Sequence, residues 1–340
     1  MNSEDFSVLL RRMASGETLS AEQSERAFAA IMTGEVSEVR IASLVTAMAV
    51  RKPTIDELVG AVRAMRGQMK SIEASPYAVD LCGTGGDGIG TLNISTACAF
   101  VVAACGVPVA KHGNRNMSSK SGTADCLEAL GVRIDLSPAE ASRCLRETGL
   151  CFLFAQAYHP AIKYVAPVRR ELGFRTIFNL IGPLSNPARV RRQLVGVYDK
   201  DWTEPLAEVL ARLGAERAWV VHGDGLDEIA ISGPTRVATL VDGKVSVRDI
   251  GPEDAGLSWS PLSAIAGGSA PQNAAALLRL LEGETGAYRD IVLINSAAAL
   301  IVAGKTTNLK DGVALANAAI ARGAAKKKLE DLIAISKAAA

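Results

Sequence analysis

Charge of one sign is what this chain lacks most clearly. Over 340 residues, 37 lysines and arginines face 36 aspartates and glutamates, a formal net charge of +1. A nucleic-acid binder usually carries a basic excess, and none is visible. Long apolar runs are missing too. A membrane-crossing helix needs about 18 apolar residues in succession, and the best stretch, 97–110, is broken by Gly106 and Pro108. The first residues, Met1-Asn2-Ser3-Glu4-Asp5, are acidic, so no signal peptide is expected and a cytoplasmic location is. The six cysteines, Cys82, Cys98, Cys105, Cys126, Cys144 and Cys151, show no CxxC spacing. Buried free thiols in a reducing compartment are expected, and a zinc site is not. No GxSxG elbow marks a serine nucleophile.

What is present is 49% hydrophobic and 21% charged, an ordinary globular composition long enough for one large or two modest domains. Residues 1 to about 70 read as helices only. Ser20-Ala21-Glu22-Gln23 and Thr54-Ile55-Asp56-Glu57 each fit a capping box. No strand signal appears before Tyr77. Short apolar runs then alternate with helical ones: strands at 78–82, 107–110, 151–154, 194–198 and 218–221, with helices at 94–104, 123–131 and from Ser137 on. Strands at 238–241 and 244–247 flank Asp242-Gly243, a strong hairpin signal. From Asn273 on the chain is helical and alanine-rich, and Lys326-Lys327-Lys328 reads as a solvated helix face. The fold class is therefore α/β: a small all-helical domain (1–72, joined by helices around 163–180), then a larger domain (73–340). The second should hold a mostly parallel central sheet and a C-terminal helical cluster. Ligands of such sheets bind at the carboxyl ends of strands.

Four polar clusters fall at those ends. Asp80-Leu81-Cys82-Gly83-Thr84-Gly85-Gly86-Asp87-Gly88 runs from a strand into a glycine turn. Its backbone amides can approach an anion closely. Gly83-x-Gly85-x-x-Gly88 matches the dinucleotide fingerprint, which wants an acid about 20 positions on; the next strand ends instead at Lys111, and no Walker lysine follows. Within the same cluster, just past the turn, Asn93-Ile94-Ser95-Thr96 can cap a helix or donate to phosphate, and a serine hydroxyl can ligate Mg²⁺. Lys111-His112-Gly113-Asn114-Arg115-Asn116-Met117-Ser118-Ser119-Lys120-Ser121-Gly122 is nearly all polar and reads as a second half of a polyphosphate cradle, leading to Thr123 at a helix start. Arg169-Arg170 can fork onto a carboxylate or be solvated surface. In His222-Gly223-Asp224-Gly225-Leu226-Asp227-Glu228, the adjacent acids can share a hydrated Mg²⁺ or be plain loop surface. The three histidines, His112, His159 and His222, all lie in or beside these clusters, none at metal-ligand spacing from another.

Taken in order, Gly83 to Asp87, Asn93 to Thr96, Lys111 to Gly122 and Gly225 to Glu228 resemble the anthranilate phosphoribosyltransferase family. Most specific is Arg169-Arg170-Glu171-Leu172-Gly173-Phe174-Arg175-Thr176-Ile177-Phe178-Asn179-Leu180-Ile181-Gly182-Pro183-Leu184-Ser185-Asn186-Pro187. The likeness spans essentially the whole chain. It implies a pentosyltransferase that moves ribose 5-phosphate from phosphoribosyl diphosphate to the amine of anthranilate, in tryptophan biosynthesis. It also implies two Mg²⁺ ions and a homodimer joined through the helical domains. By resemblance, Gly83, Gly86, Asp87, Thr91, Asn93, Ser95, Thr96, Lys111, Ser119 and Thr123 contact phosphoribosyl diphosphate. Asn114, Arg169, His112 and Gly83 contact anthranilate, and Ser95, Asp227 and Glu228 hold Mg²⁺. Gln156 and Tyr158 stand where the family carries Pro and often His, and Asn116 and Met117 replace a small apolar pair. These departures bear on the anthranilate channel. Asn114-Arg115 and the stretch from Arg169 to Pro187 argue against a pyrimidine nucleoside phosphorylase of the same fold, and the near-neutral charge with the intact Gly83, Ser95, Asp227 and Glu228 set argues against a non-catalytic relative that binds nucleic acid.

Overall fold

The computed structural model describes residues 3–86, 88–115 and 121–338. Four helices come first: α1 (Ser3–Ala14), α2 (Ala21–Met32), α3 (Glu38–Arg51) and α4 (Ile55–Gln68). Both expected capping boxes form. The Ser20 hydroxyl accepts from the Gln23 amide and the Thr54 hydroxyl from the Glu57 amide, and each N3 side chain returns to its cap.

Strand β1 (Val79–Gly83) then opens the sheet. It is followed by α5 (Ile94–Ala104), β2 (Val109–Gly113), α6 (Thr123–Ala129), α7 (Pro138–Thr148), β3 (Leu150–Phe154), α8 (Ala155–Tyr158), α9 (Ala166–Leu172) and α10 (Ile177–Ile181). The chain returns through β4 (Arg192–Gly196), α11 (Thr203–Arg212), β5 (Arg217–Gly223), β6 (Thr235–Val241) and β7 (Lys244–Ile250). It closes with α12 (Ala270–Leu281), α13 (Ala287–Val302), α14 (Leu309–Ala321) and α15 (Ala324–Ala338). The seven strands lie in the order β3-β2-β1-β4-β5-β6-β7. The first five are parallel, and β6 and β7 add an antiparallel edge through the expected hairpin, where Asp242 and Gly243 both take positive φ. No helix among the described residues is long and apolar enough to cross a membrane.

Two details differ from the sequence expectations. Strand β2 starts at Val109 and continues through Gly113, because Lys111 and His112 pair in register with Phe152 and Leu153 of β3. Lys111 is thus inside the strand, not at its end. The Lys326–Lys328 run is only partly solvated: Lys326 and Lys327 pair with Glu282 and Asp331, while the Lys328 ammonium donates to the Thr148 carbonyl.

Two apolar cores result. One lies between the sheet and helices α5 and α12–α15. The other joins α1–α4 to Val165, Val168, Ile177 and Phe178 and then to the opposite face of β4 and β5. The rings of Phe28 and Phe178 meet edge to face at 5.7 Å. The strand order turns back at β1, since β2 and β3 lie on one side and β4 on the other. A crevice opens between the carboxyl ends of β1 and β4, the place where sheets of this kind hold ligands.

Candidate functional site

The crevice holds a cleft of about 310 Å³. The glycine turn, Thr91, Asn93, Ser95, Lys111, His112, Asn114, Thr123, Arg169, Asp227 and Glu228 line it. Four sequence clusters that lie far apart in the chain therefore meet. Asp87 and Ser119 lie outside the described residues.

The turn after β1 places Gly85 and Gly86 at φ of 65° and 77°, a region that favours glycine. Asp227 sits across its floor. Its Oδ2 accepts the Gly85 N–H at 2.7 Å. A methyl on Gly83 would strike this carboxylate, and one on Gly196 would strike the Asp227 carbonyl. Both strands must end in glycine for the acid to enter the crevice. Glu228 Oε1 accepts the Ser95 N–H at 3.2 Å, in the first turn of α5, where helical amides have no partner of their own.

Lys111 is buried at the back of the cleft. Its ammonium donates to the Leu81 carbonyl at 2.5 Å and lies 3.1 Å from the Ser95 hydroxyl. A cation is thus fixed beside the first turn of α5. Asn93 starts α5 but does not cap it; its Oδ1 accepts from Asn273 at 2.9 Å, and Tyr288 donates to its carbonyl. Thr91 is pinned by a bridge to Ala266. Thr96 is the one described phosphate candidate that does not line the cleft. It is fully buried behind the wall, with its hydroxyl 3.4 Å from that of Thr123.

Arg169 and Arg170, adjacent in sequence, separate. Arg170 is exposed, whereas Arg169 lines the cleft with its guanidinium 5.9 Å from the Phe178 ring centre. Burial lowers the Arg169 pKa from its ordinary value. His112 is buried, and its amide donates to Asp80 at 3.0 Å. Its Nε2 has no hydrogen-bond partner, and its ring centre lies 5.1 Å from that of His159. Burial, with His159 and Lys111 nearby, holds its pKa well below 6.5, so it is a neutral imidazole at pH 7. Arg115, one of the expected cradle cations, is tied to Asp125 and Glu128. Tyr158 belongs to the core and donates to the Leu136 carbonyl at 2.9 Å. His222 faces a larger groove of about 810 Å³ beyond Asp224, and its Nδ1 meets the Val197 carbonyl at 2.7 Å. That groove mixes exposed acids with Lys200 and Arg236 and lacks the glycine turn, so it is not the anion cradle.

Sequence reasoning missed Gly196 and Arg175. Arg175 donates to the Gly86 carbonyl and stacks on Tyr198 at 4.2 Å. Nothing in its local spacing separates it from surface arginines; only the fold brings it to the turn.

A family model for the glycosyl transferase family, a/b domain, matches residues 75–326, and one for the helical bundle domain of that family matches residues 7–69. An anthranilate phosphoribosyltransferase of Rhodopseudomonas palustris (strain BisB18) is 56% identical over 99% of this chain and 99% of its own. The solved anthranilate phosphoribosyltransferase of Thermus thermophilus aligns with a TM-score of 0.93 at 44% identity, covering 96% of this chain and 99% of the other. The enzyme of that name from Saccharomyces cerevisiae, in complex with PRPP and Mg, aligns at 0.90 and 26% identity over 99% of each chain.

Proposed function

The chain belongs to the anthranilate phosphoribosyltransferase family, and from that premise we propose how its own residues do the work. It transfers the 5-phosphoribosyl group of phosphoribosyl diphosphate to the amine of anthranilate, giving N-(5-phosphoribosyl)anthranilate and diphosphate, in L-tryptophan biosynthesis. One observation carries the assignment of the site. A donor-rich anion cradle (Gly85, Ser95, Lys111) and a half-buried arginine (Arg169) face the same cleft.

The reaction breaks the C1′–O bond to diphosphate with oxocarbenium character and forms a C1′–N bond, after which the amine loses a proton to water and diphosphate leaves with the C1′–O electron pair. The departing charge is met by the turn amides and by Lys111, donors fixed before reaction. Arg169 faces the anthranilate carboxylate, Asn114 and Gly83 border the ring, and His112 orients the amine. The aniline nitrogen is a weak base, neutral at pH 7, so positioning matters more than a strong general base.

Ser95, Asp227 and Glu228 offer oxygen donors alone, which suits Mg²⁺. Among the described residues no three His, Cys, Asp or Glu close a cage by themselves. This fits an ion whose shell is completed by substrate oxygens, and the Mg in the yeast complex supports it. We assign two ions, one at Ser95 and one at Asp227 and Glu228. When bound, such an ion withdraws charge from the leaving group.

The domain division at residues 72 and 73, a homodimer through the helical domain and a cytoplasmic location belong to the same proposal. Val39 and Val50, 76% and 83% exposed on α3, support the dimer; analytical ultracentrifugation tests it. The central test follows anthranilate fluorescence with and without phosphoribosyl diphosphate and Mg²⁺. Loss of signal only with both is expected. Persistence of the signal with both present overturns the function.

A further inference from the structure

Asn273, in the first turn of α12, is only 1% exposed and lies 180 positions from Asn93, yet the two side chains meet. Their orientations follow from donor and acceptor chemistry. A backbone N–H can only donate, so the Asn273 atom that meets the Gly268 amide at 2.7 Å is Oδ1. Its NH2 is therefore turned to Asn93, which must answer with an acceptor, its own Oδ1, at 2.9 Å. With the Asn93 amide turned the other way, two NH2 groups would meet. The Asn93 NH2 is the end left over. It makes no hydrogen bond among the described residues, and Asn93 lines the cleft. The frame around the pair is fixed. Tyr288 donates to the Asn93 carbonyl at 3.1 Å, the Leu92 amide to the Ile265 carbonyl at 3.0 Å and the Gly267 amide to the Gly90 carbonyl at 2.8 Å. A methyl on Gly267 would strike the Thr91 carbonyl, so residues 90–93 and 265–268 run together only because glycine stands there.

We propose that Asn273 is a positioning residue for the diphosphate group, holding the Asn93 amide with its NH2 toward the cleft. This rests on reading the cleft as the phosphoribosyl diphosphate site. In this orientation Asn93 offers an anion two donors; reversed, it would offer a carbonyl oxygen. Asn273 acts through Asn93 alone and touches no substrate.

The test is calorimetric titration with inorganic diphosphate in excess Mg²⁺ at pH 8, with no turnover involved. Asn273→Asp keeps an acceptor for Gly268 but presents Asn93 with a carboxylate, which takes the Asn93 NH2 and turns its oxygen to the cleft. Affinity should fall about tenfold or more. Asn273→Ala frees the Asn93 amide to take either orientation, which halves the competent population and should weaken binding only about twofold. It carries the test should Asn273→Asp fail to fold. In an Asn93→Ala background both substitutions should lose most of their effect. In turnover, Asn273→Asp should raise the KM for phosphoribosyl diphosphate about tenfold and that for anthranilate less than about twofold. Undiminished losses in the Asn93→Ala background, or equal rises in the two KM values, overturn the proposal. A wild type that fails to bind diphosphate even with Mg²⁺ overturns instead the reading of the cleft.

Discussion

The guanidinium of Arg175 lies over the ring of Tyr198, 4.2 Å from its centre. From there it donates to the Gly86 carbonyl, while the Tyr198 amide donates to the Thr84 hydroxyl at 3.0 Å. Arg175 stands between α9 and α10. One side chain thus ties the segment between these helices to the glycine turn after β1. Arg175→Ala should raise the KM for phosphoribosyl diphosphate by about tenfold, the cost of losing one charged hydrogen bond. The KM for anthranilate should move less. Steady-state kinetics with each substrate varied in turn checks this, and Arg175→Lys should recover only part, since an ammonium lacks the planar face that stacks on Tyr198.

Arg169 and Arg170 are neighbours in sequence with different surroundings. Arg169 faces the cleft beside Phe178, and Arg170 faces solvent. Arg169→Ala should raise the KM for anthranilate by about tenfold to a hundredfold, the range of a lost carboxylate contact. Arg170→Ala should change it by less than about twofold, as for other exposed charges. The reverse ranking would remove Arg169 from the acceptor site.

Features fixed by near neighbours were legible in the sequence. Ser20 and Thr54 each meet an N3 partner three residues on, and Asp242-Gly243 closes its own hairpin. The glycine turn and the Ser95, Lys111 and Asp227 clusters were legible as chemistry, since each concentrates anion- or cation-binding groups. Their meeting was not. The Gly85–Asp227 bond spans 142 positions, and only the reversal of strand order at β1 brings the two together. Thr96 misled for a related reason. The helix that presents Ser95 to the cleft turns the next side chain by about 100°, into the wall. Strand ends were short by a few residues because Lys111 and His112 break the apolar pattern while still pairing with β3.

The buried histidines make stability fall in mild acid. Burial pushes His159 down to about 4, against a weaker opposing pull from the Ser185 backbone. The unfolded chain takes up the proton near pH 6.5, and the folded one resists it until about 4. Above 6.5 both states are neutral and nothing is lost; stability drops as pH falls across that window. The gap amounts to about 3 kcal/mol. Thermal unfolding of wild type and His159→Leu between pH 7 and pH 4 should show the steeper decline in the wild type. Parallel curves would show that His159 takes up its proton as readily in the folded protein as in the unfolded chain.

Glu57 fixes the helical lobe from within. Its side chain has no exposure, yet it accepts the Leu19 amide at 2.9 Å and the Thr54 amide at 2.8 Å and pairs with Arg51. Burial alone would raise its pKa, but Arg51 and the two amides outweigh it and hold the carboxyl below its usual range. Removing the acid leaves a mostly buried guanidinium and two amides without acceptors. Glu57→Ala should therefore cost roughly 3–5 kcal/mol, the range for breaking a buried pair from one side. Removing both charges together, in Arg51→Met with Glu57→Leu, should restore part of that loss, because the stranded cation is gone. It should not restore all, because Leu19 and Thr54 still lack their acceptor. Urea unfolding of the single and double variants separates the two contributions. A double variant no more stable than Glu57→Ala would mean that the amides, and not the ion pair, hold the loop before α2 against the start of α4.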